Sequence, residues 1–138
     1  MKYLLLFLCT TFIAITNVAL AADIQVNITG IEKPDGFIRV ALFPESKEEQ
    51  FPQPVDVKQL ATEAKTVGVS VVFKDISTGT YAISVVHDKN NNIKMDTFFG
   101  IPQEPYGNSG KYTSFKPNYE DSKFTVSNIN LTINIEVH

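Results

Sequence analysis

The sequence predicts an all-β fold, an antiparallel β-sandwich of six or seven strands. Apolar and polar residues alternate with a period of two in several segments, and clusters of Gly, Pro, Asn and Ser separate these segments. Such alternation is typical of strands with one buried face, and such clusters are typical of turns. No segment of the sequence carries the long apolar stripe of period 3.6 that an amphipathic helix needs.

The first 21 residues are predicted to form a signal peptide that is removed. Lys2 precedes an apolar stretch at residues 3–15. Ala19 and Ala21 then form the small-x-small pattern that precedes a cleavage site, so the mature chain is expected to be residues 22–138. The stretch is shorter than the roughly 20 residues that cross a bilayer as a helix. We therefore expect an exported protein, periplasmic or secreted, with no membrane anchor after cleavage.

The cysteine content and net charge of the mature chain limit the kinds of partner that it can be expected to bind. Cys9 is the only cysteine, and the bulky Leu8 before it argues against cleavage and lipidation there. The mature chain is then free of disulfides and cysteine metal sites, and its 117 residues, 138 less 21, suit a single domain. Cleavage removes Lys2, which is one of the 12 basic residues, and removes no acidic residue. The mature chain then has 11 basic and 15 acidic residues, which give a net charge of −4. We expect no nucleic acid partner, and the scattered basic residues form no run for an anionic membrane.

The first predicted strand carries Ile24, Val26 and Ile28 on its buried face. A Pro-Asp-Gly turn at residues 34–36 leads to the segment 37–43, which we expect to be its hairpin partner. The next stretch, up to Ala64, holds prolines and a charged run, so it is predicted to be a long connection containing a short helix or an edge strand.

Alternation returns at residues 67–73 and again at 81–85, with a Ser-Thr-Gly turn at 77–79 between them. We expect these two strands to form the central hairpin. A short apolar alternation at 124–126 follows much later, and the clearest strand of all closes the chain at 131–137.

The segment from His87 to Asp96 is the chemically distinctive feature of the sequence. Side-chain oxygens stand at relative positions one, three, five and nine, which are Asp88, Asn90, Asn92 and Asp96, and Lys94 would offer its backbone carbonyl at position seven. Ca²⁺ takes six to eight hard oxygen ligands from loops with this spacing. We therefore predict one bound calcium ion, and we expect Glu104, on a stiff Gly/Pro segment, to complete the ligand shell.

Two positions depart from the calcium-loop pattern. Ile93 occupies position six, where glycine is usual, and Phe99 occupies position twelve, where a bidentate glutamate is usual. Because a β-branched residue resists positive φ, we expect Asn91 or Asn92 to take the left-handed conformation instead. The alternative interpretation is that Asp88 and the asparagines form side-chain-to-backbone turns that cap the preceding strand.

The central part of the chain resembles a family of exported bacterial proteins. The resemblance rests on residues 79–88 (GTYAISVVHD), on the Asn and Asp positions of the following loop, and on residues 99–107 (FGIPQEPYG). These residues are similar to the signature of domain-of-unknown-function family 2141, although Ile93 replaces the usual glycine. The resemblance covers most of the mature chain and implies a sandwich related to immunoglobulin-like or transthyretin-like modules. It implies no particular activity.

Six aromatic residues lie between Asp96 and Lys123, namely Phe98, Phe99, Tyr106, Tyr112, Phe115 and Tyr119. They argue against disorder, and we expect this long segment to pack against one end of the sandwich. Exposed rings, with Phe98, Phe99, Tyr106 and Tyr112 as the candidates, would form a platform for a sugar, a peptide or a partner domain. Buried rings would form a second small core beneath the loop, which is the interpretation we favour.

An enzyme would use His87 as a general base, or Glu104 and Asp96 as a carboxylate pair. We instead expect His87 to be packed or to orient a neighbouring ligand, and Tyr81, after the turn at Gly79, to cover one end of the core. The sequence thus predicts an exported, non-enzymatic sandwich domain that binds one calcium ion and a surface ligand, with a protein or carbohydrate as the partner. An uncharacterised hydrolase is the alternative.

Overall fold

Two β-sheets face each other across an apolar core in the computed structural model, which describes residues 19–138. The strands are β1 (Ala21–Thr29), β2 (Phe37–Pro44), β3 (Lys58–Glu63), β4 (Val69–Ser77), β5 (Gly79–Asp88), β6 (Thr97–Phe98), β7 (Ile101–Pro102), β8 (Tyr106–Asn108), β9 (Phe124–Val126) and β10 (Leu131–Glu136). A 3-10 helix spans Glu45–Gln50, and the helix α1 spans Tyr119–Ser122. The predicted all-β sandwich is confirmed. The predicted signal peptide lies outside the described residues, apart from its last three positions.

The first sheet has the strand order β10-β1-β4. The second has the order β3-β2-β5, and β8 and β9 lie one after the other along the remaining edge of β5. The short strands β6 and β7 form a separate hairpin. Every pair is antiparallel except β1 with β10, which run parallel, so the prediction of an antiparallel sandwich is wrong for that pair. Parallel pairing is possible there because a long part of the chain separates the two strands.

Both predicted hairpins are wrong. β1 pairs with β4 and β10, whereas β2 pairs with β3 and β5, so the turn at residues 34–36 carries the chain from one sheet to the other. The turn at 77–79 does the same, because β4 and β5 also belong to opposite sheets. Alternation shows which face of a strand is buried, but it does not show which strand lies beside it. In both cases, consecutive strands pack face to face across the core.

The core contains the alternating residues of both sheets. Ile24, Val26 and Ile28 of β1 are fully buried, as predicted, and they pack with the buried residues Ile38, Val40, Leu42, Ile83 and Val85 of the opposite sheet. Burial of each such side chain stabilises the fold by about 1.5–3 kcal/mol. Val67, which the sequence places in the next strand, lies before β4 and is exposed.

The connection after Pro44 contains both elements that the sequence allows, the 3-10 helix and the edge strand β3. A second, smaller cluster lies on the outer face of the second sheet and consists of Ala41, Phe43, Phe51, Ala82 and Tyr119. Tyr81 is partly buried against the main core, as expected, and it donates its hydroxyl hydrogen to the carbonyl oxygen of Ser77 at 2.9 Å. No helix in the part of the chain that the structure describes is long and apolar enough to cross a membrane.

Candidate functional site

Asp88 is the anchor of the Asp/Asn-rich loop. It ends β5, has an exposed fraction of 0%, and receives a hydrogen bond and an ion pair from Arg39 Nε at its Oδ2 atom. The backbone N–H of Asn92 donates to Oδ1 at 3.1 Å, and that of Ile93 donates to Oδ2 at 3.0 Å. Burial alone would raise the pKa of Asp88, but the hydrogen bonds from Arg39, Ile93 and Asn92 outweigh it and hold the pKa below its ordinary value of 3.8.

Three side chains meet in the outer part of the loop. The Nδ2 atoms of Asn90 and Asn92 donate to the two carboxylate oxygens of Asp96 at 2.6 and 2.7 Å. The Oδ1 atoms of the same asparagines accept the backbone N–H groups of Asn92 and Lys94 at 3.2 and 3.0 Å. These are the side-chain-to-backbone turns of the alternative interpretation, and they follow from the tendency of asparagine to bond to the chain two residues on.

Glu104 holds the two ends of the loop together. It is buried, and its Oε1 and Oε2 atoms accept the backbone N–H groups of Lys89 at 2.9 Å and Asp96 at 3.2 Å. Among the calcium ligands predicted from the sequence, Asn90, Asn92 and Asp96 therefore lie together, whereas Asp88 and Glu104 brace the backbone of the loop. Within residues 19–138, no three His, Cys, Asp or Glu side chains form a group that could hold a metal ion.

Ile93 adopts the left-handed conformation that its side chain resists, with φ of +66°. The expectation that an asparagine would take it instead of Ile93 is therefore wrong, although Asn91, with φ of +57°, takes it as well. A non-glycine residue in this region costs about 1–3 kcal/mol, and it keeps this conformation only where its surroundings hold it there. The hydrogen bond from the Ile93 N–H to Asp88 supplies that constraint. The sequence pattern therefore identified the correct position for a tight turn, but the turn does not require glycine.

His87 points into the core, on the opposite side of the sheet from the Asp88 side chain. It is fully buried, its Nε2 atom donates to the carbonyl oxygen of Asp35 at 2.7 Å, and its backbone N–H donates to the carbonyl of Pro105 at 2.8 Å. Because a carbonyl only accepts, Nε2 carries the hydrogen. His87 fixes the strand end against the turn before β2.

A groove of about 500 Å³ lies on the outer face of the second sheet. Its floor includes Arg39 and Ala41 of β2, and Ser84 and Val86 of β5, which are register partners across the two strands. One wall is the proline-rich stretch 52–54, and the other includes Ile93, Lys94, Met95, Thr97, Gly100 and Pro102. Lys116 and Pro117 border the same space. Small residues on the floor make room for the groove, and the Asp/Asn-rich loop forms part of its rim.

The aromatic residues of the long segment divide into two groups. Tyr106 and Tyr119 are buried, and the hydroxyl of Tyr106 donates to the carbonyl of Thr113 at 2.8 Å. The exposed group consists of Phe98, Phe99, Tyr112 and Phe115. The expectation of a second core beneath the loop thus holds only for the two buried tyrosines. Of the predicted platform, Phe98, Phe99 and Tyr112 face solvent and Tyr106 does not.

The fold and the site define an all-β sandwich protein with an open groove on one sheet and an Asp/Asn-rich loop at its rim. The chain belongs to domain-of-unknown-function family 2141, described as an uncharacterised protein conserved in bacteria, whose model matches residues 26–134. This range contains the whole groove and the whole loop, and it confirms the family resemblance of the sequence. Neither the curated proteins nor the solved structures contain a match to the chain.

Arg39 is the residue of the candidate site that sequence reasoning missed. A single charged side chain within an otherwise apolar strand, Phe37-Ile38-Arg39-Val40-Ala41, was the available signal. The rest of the groove gave no such signal, because its residues come from six strands and several loops, many of them distant in sequence.

Proposed function

We propose that this protein is an exported binding module, and that its ligand occupies the groove on the outer face of the second sheet. The observation that supports this proposal is the size and chemistry of the groove. A volume of about 500 Å³ falls within the roughly 300–1,000 Å³ of small-molecule sites, which combine a mainly apolar lining with a few polar groups. Val86, Met95 and Pro102 are among the apolar lining residues.

The polar groups at the groove favour a ligand with an apolar body and an acidic end. Arg39 uses its Nε and Nη2 atoms on Asp88 and Asn91, and 23% of its side chain is exposed. A guanidinium has five N–H donors, so donors remain for an anion. Lys94 and Lys116 add two further positive charges to the lining.

Binding accounts for the polar residues of this region better than hydrolysis does. The hydrogen on Nε2 of His87 is engaged by a carbonyl, and the ring lies in the core and not at the groove. The carboxylates of Asp96 and Glu104 accept hydrogen bonds from within the loop itself. A general base and a general acid would have to be free to exchange protons with a substrate.

The proposal is tested by thermal melts with dodecanoate, a carboxylate on an apolar chain, and with dodecyltrimethylammonium, which has the same chain and the opposite charge. A ligand that binds the native state raises the melting temperature. We expect dodecanoate to raise it more than the cation does. Val86→Phe should remove the effect by filling the groove, and Val72→Phe, on the outer face of the other sheet, is the matched control. Equal responses of both variants would refute the groove as the site.

We also propose, as a second function, weak calcium binding by the outer part of the loop. It is supported by the meeting of the Asn90, Asn92 and Asp96 side chains, because a half-turn of each amide would place its oxygen beside the carboxylate. The carbonyl of Lys94 is the fourth donor that the spacing predicts. Asp88 is already neutralised by Arg39, so its role would be to brace the loop. So few protein ligands would leave several positions to water, which corresponds to affinities of about 10⁻⁴–10⁻³ M.

Calcium binding is tested by melting the protein in millimolar Ca²⁺ and in chelator. We expect a higher melting temperature with Ca²⁺ for the wild type and for Asp56→Asn, a control at an exposed aspartate that also has positive φ. Asp96→Asn should lose the increase, because it removes the one carboxylate of the cluster. Identical melting temperatures of the wild type in the two conditions would refute the proposal.

A further inference from the structure

The hairpin of β6 and β7 presents an apolar tip to solvent. Phe98, Phe99 and Ile101 are 63%, 89% and 63% exposed, and no residue other than its two chain neighbours comes within 4 Å of the position that a Cβ of Gly100 would take. Isolated exposed apolar residues are common, but a contiguous exposed cluster marks a contact with something outside the chain.

The tip is held in a conformation that disfavours phenylalanine. Phe99 and Gly100 have φ of +48° and +77°, as in the two-residue hairpin turns where asparagine and glycine are preferred. The rings of Phe98 and Phe99 pack edge to face with centroids 4.6 Å apart. Phe99 thus brings backbone strain and almost no burial within the chain, so its aromatic side chain is not explained by the stability of the fold.

The segment that carries the tip has more exposed basic than acidic side chains. Residues 87–118 contain four exposed lysines, Lys89, Lys94, Lys111 and Lys116. They contain three carboxylates, of which Asp88 and Glu104 are buried and only Asp96 is partly exposed. Lys94 and Lys116 line the same groove as Gly100 of the tip, so their charges lie on the side of the molecule that carries it.

We infer that the hairpin tip docks on an anionic lipid bilayer, with Phe98, Phe99 and Ile101 entering the interface between headgroups and acyl chains. Exposed apolar side chains such as phenylalanine enter that boundary, and lysines near the surface are attracted by anionic lipids. Lys94 and Lys116 are suited to contact the headgroups, because they line the same groove as Gly100 of the tip. Three side chains on a narrow turn form a smaller surface than the roughly 1,000 Å² of a stable protein–protein interface. This surface is separate from the groove floor, and the inference does not depend on the groove ligand.

The first test places a fluorescent probe at the tip. The chain has no tryptophan, so Phe99→Trp introduces a single one. We expect its emission to shift to shorter wavelength on addition of mixed phosphatidylcholine–phosphatidylglycerol vesicles, and to change much less with phosphatidylcholine alone. Ile129→Trp is the matched control, since Ile129 is 68% exposed and lies beyond β9, which pairs with the start of β5 and not with its Asp88 end. Its emission should stay unchanged.

The second test removes the charge. Lys94→Gln with Lys116→Gln in the Phe99→Trp background should weaken vesicle binding by about 30-fold, since each lysine near an anionic surface contributes roughly fivefold. The pair Lys47→Gln and Lys123→Gln, which lie near the Tyr81 end of the second sheet and not near its Asp88 end, should weaken it by much less. An unshifted Phe99→Trp emission with anionic vesicles, or equal effects of the two lysine pairs, would overturn the inference. A blue shift that depends on protein concentration without vesicles would also overturn it, because the tip would then contact a second copy.

Discussion

Replacement of Asp88 by asparagine is the most informative perturbation of the loop. The carboxylate is completely buried and accepts hydrogen bonds from Arg39 and from the backbone N–H groups of Asn92 and Ile93. Asparagine is nearly the same size, so the change removes a charge and one acceptor oxygen and leaves no cavity. We expect the loop to loosen and the folded state to lose stability.

The expected loss in free energy of unfolding is about 3 kcal/mol. Breaking a buried ion pair by removing one partner costs about 3–5 kcal/mol, because the other charge is left without compensation. The side chain of Arg39 is 23% exposed, so water can solvate it in part, and the lower end of the range applies. Arg39→Met combined with Asp88→Asn should therefore lose less than the sum of the two single changes.

Urea unfolding of the four proteins measures these energies and their coupling. The pH dependence gives an independent check. Because the pKa of Asp88 is lowered in the folded state, its contribution is fully present above the ordinary value of 3.8 and is lost as the pH falls through the folded pKa. Asp88→Asn should show a shallower loss of stability than the wild type in that acidic range. A stability of Asp88→Asn within about 0.5 kcal/mol of the wild type, the range of neutral surface changes, would show that the buried pair with Arg39 does not stabilise the folded state.

Three further changes test separate features by urea unfolding. Ile93→Asn should raise stability by about 1 kcal/mol, because asparagine tolerates the φ of +66° and the replaced side chain is 69% exposed. A loss of stability in this variant would contradict the claim that Ile93 is strained. Tyr81→Phe should lower stability by about 1 kcal/mol through loss of the hydrogen bond to Ser77, and an unchanged value would show that this bond contributes nothing. His87→Ala should lower it by about 3 kcal/mol through a cavity and an unpaired Asp35 carbonyl, whereas a small effect would contradict the packed role of His87.

The strands were predictable from sequence because burial of one face imposes a period of two. The first and the closing strand show this most clearly, because in each of them every second residue is apolar and packs against the core. In the first strand these residues are Ile24, Val26 and Ile28. The neighbours of each strand were not predictable in the same way. The turns at residues 34–36 and 77–79 have the composition of hairpin turns, yet both cross between the sheets, a choice that depends on long-range packing.

The candidate site was predictable only in its local part. The spacing of Asp88, Asn90 and Asn92 indicated a tight, side-chain-stabilised loop, and the structure contains one. The pairing of Asp88 with Arg39 was not predictable, because those residues are brought together by the register of β2 with β5. This ion pair matters for the candidate site, because the positive charge beside the buried Asp88 carboxylate is supplied by Arg39 of the same chain.

Binding of an acidic apolar ligand in the groove is measured most directly by NMR, with amide shifts followed during a titration with dodecanoate. We predict that the largest changes occur at Ala41, Ser84, Val86 and Thr97, which line the groove from three different elements. Changes confined to the exposed tip at Phe99, or centred on the outer face of the first sheet around Val72, would contradict it.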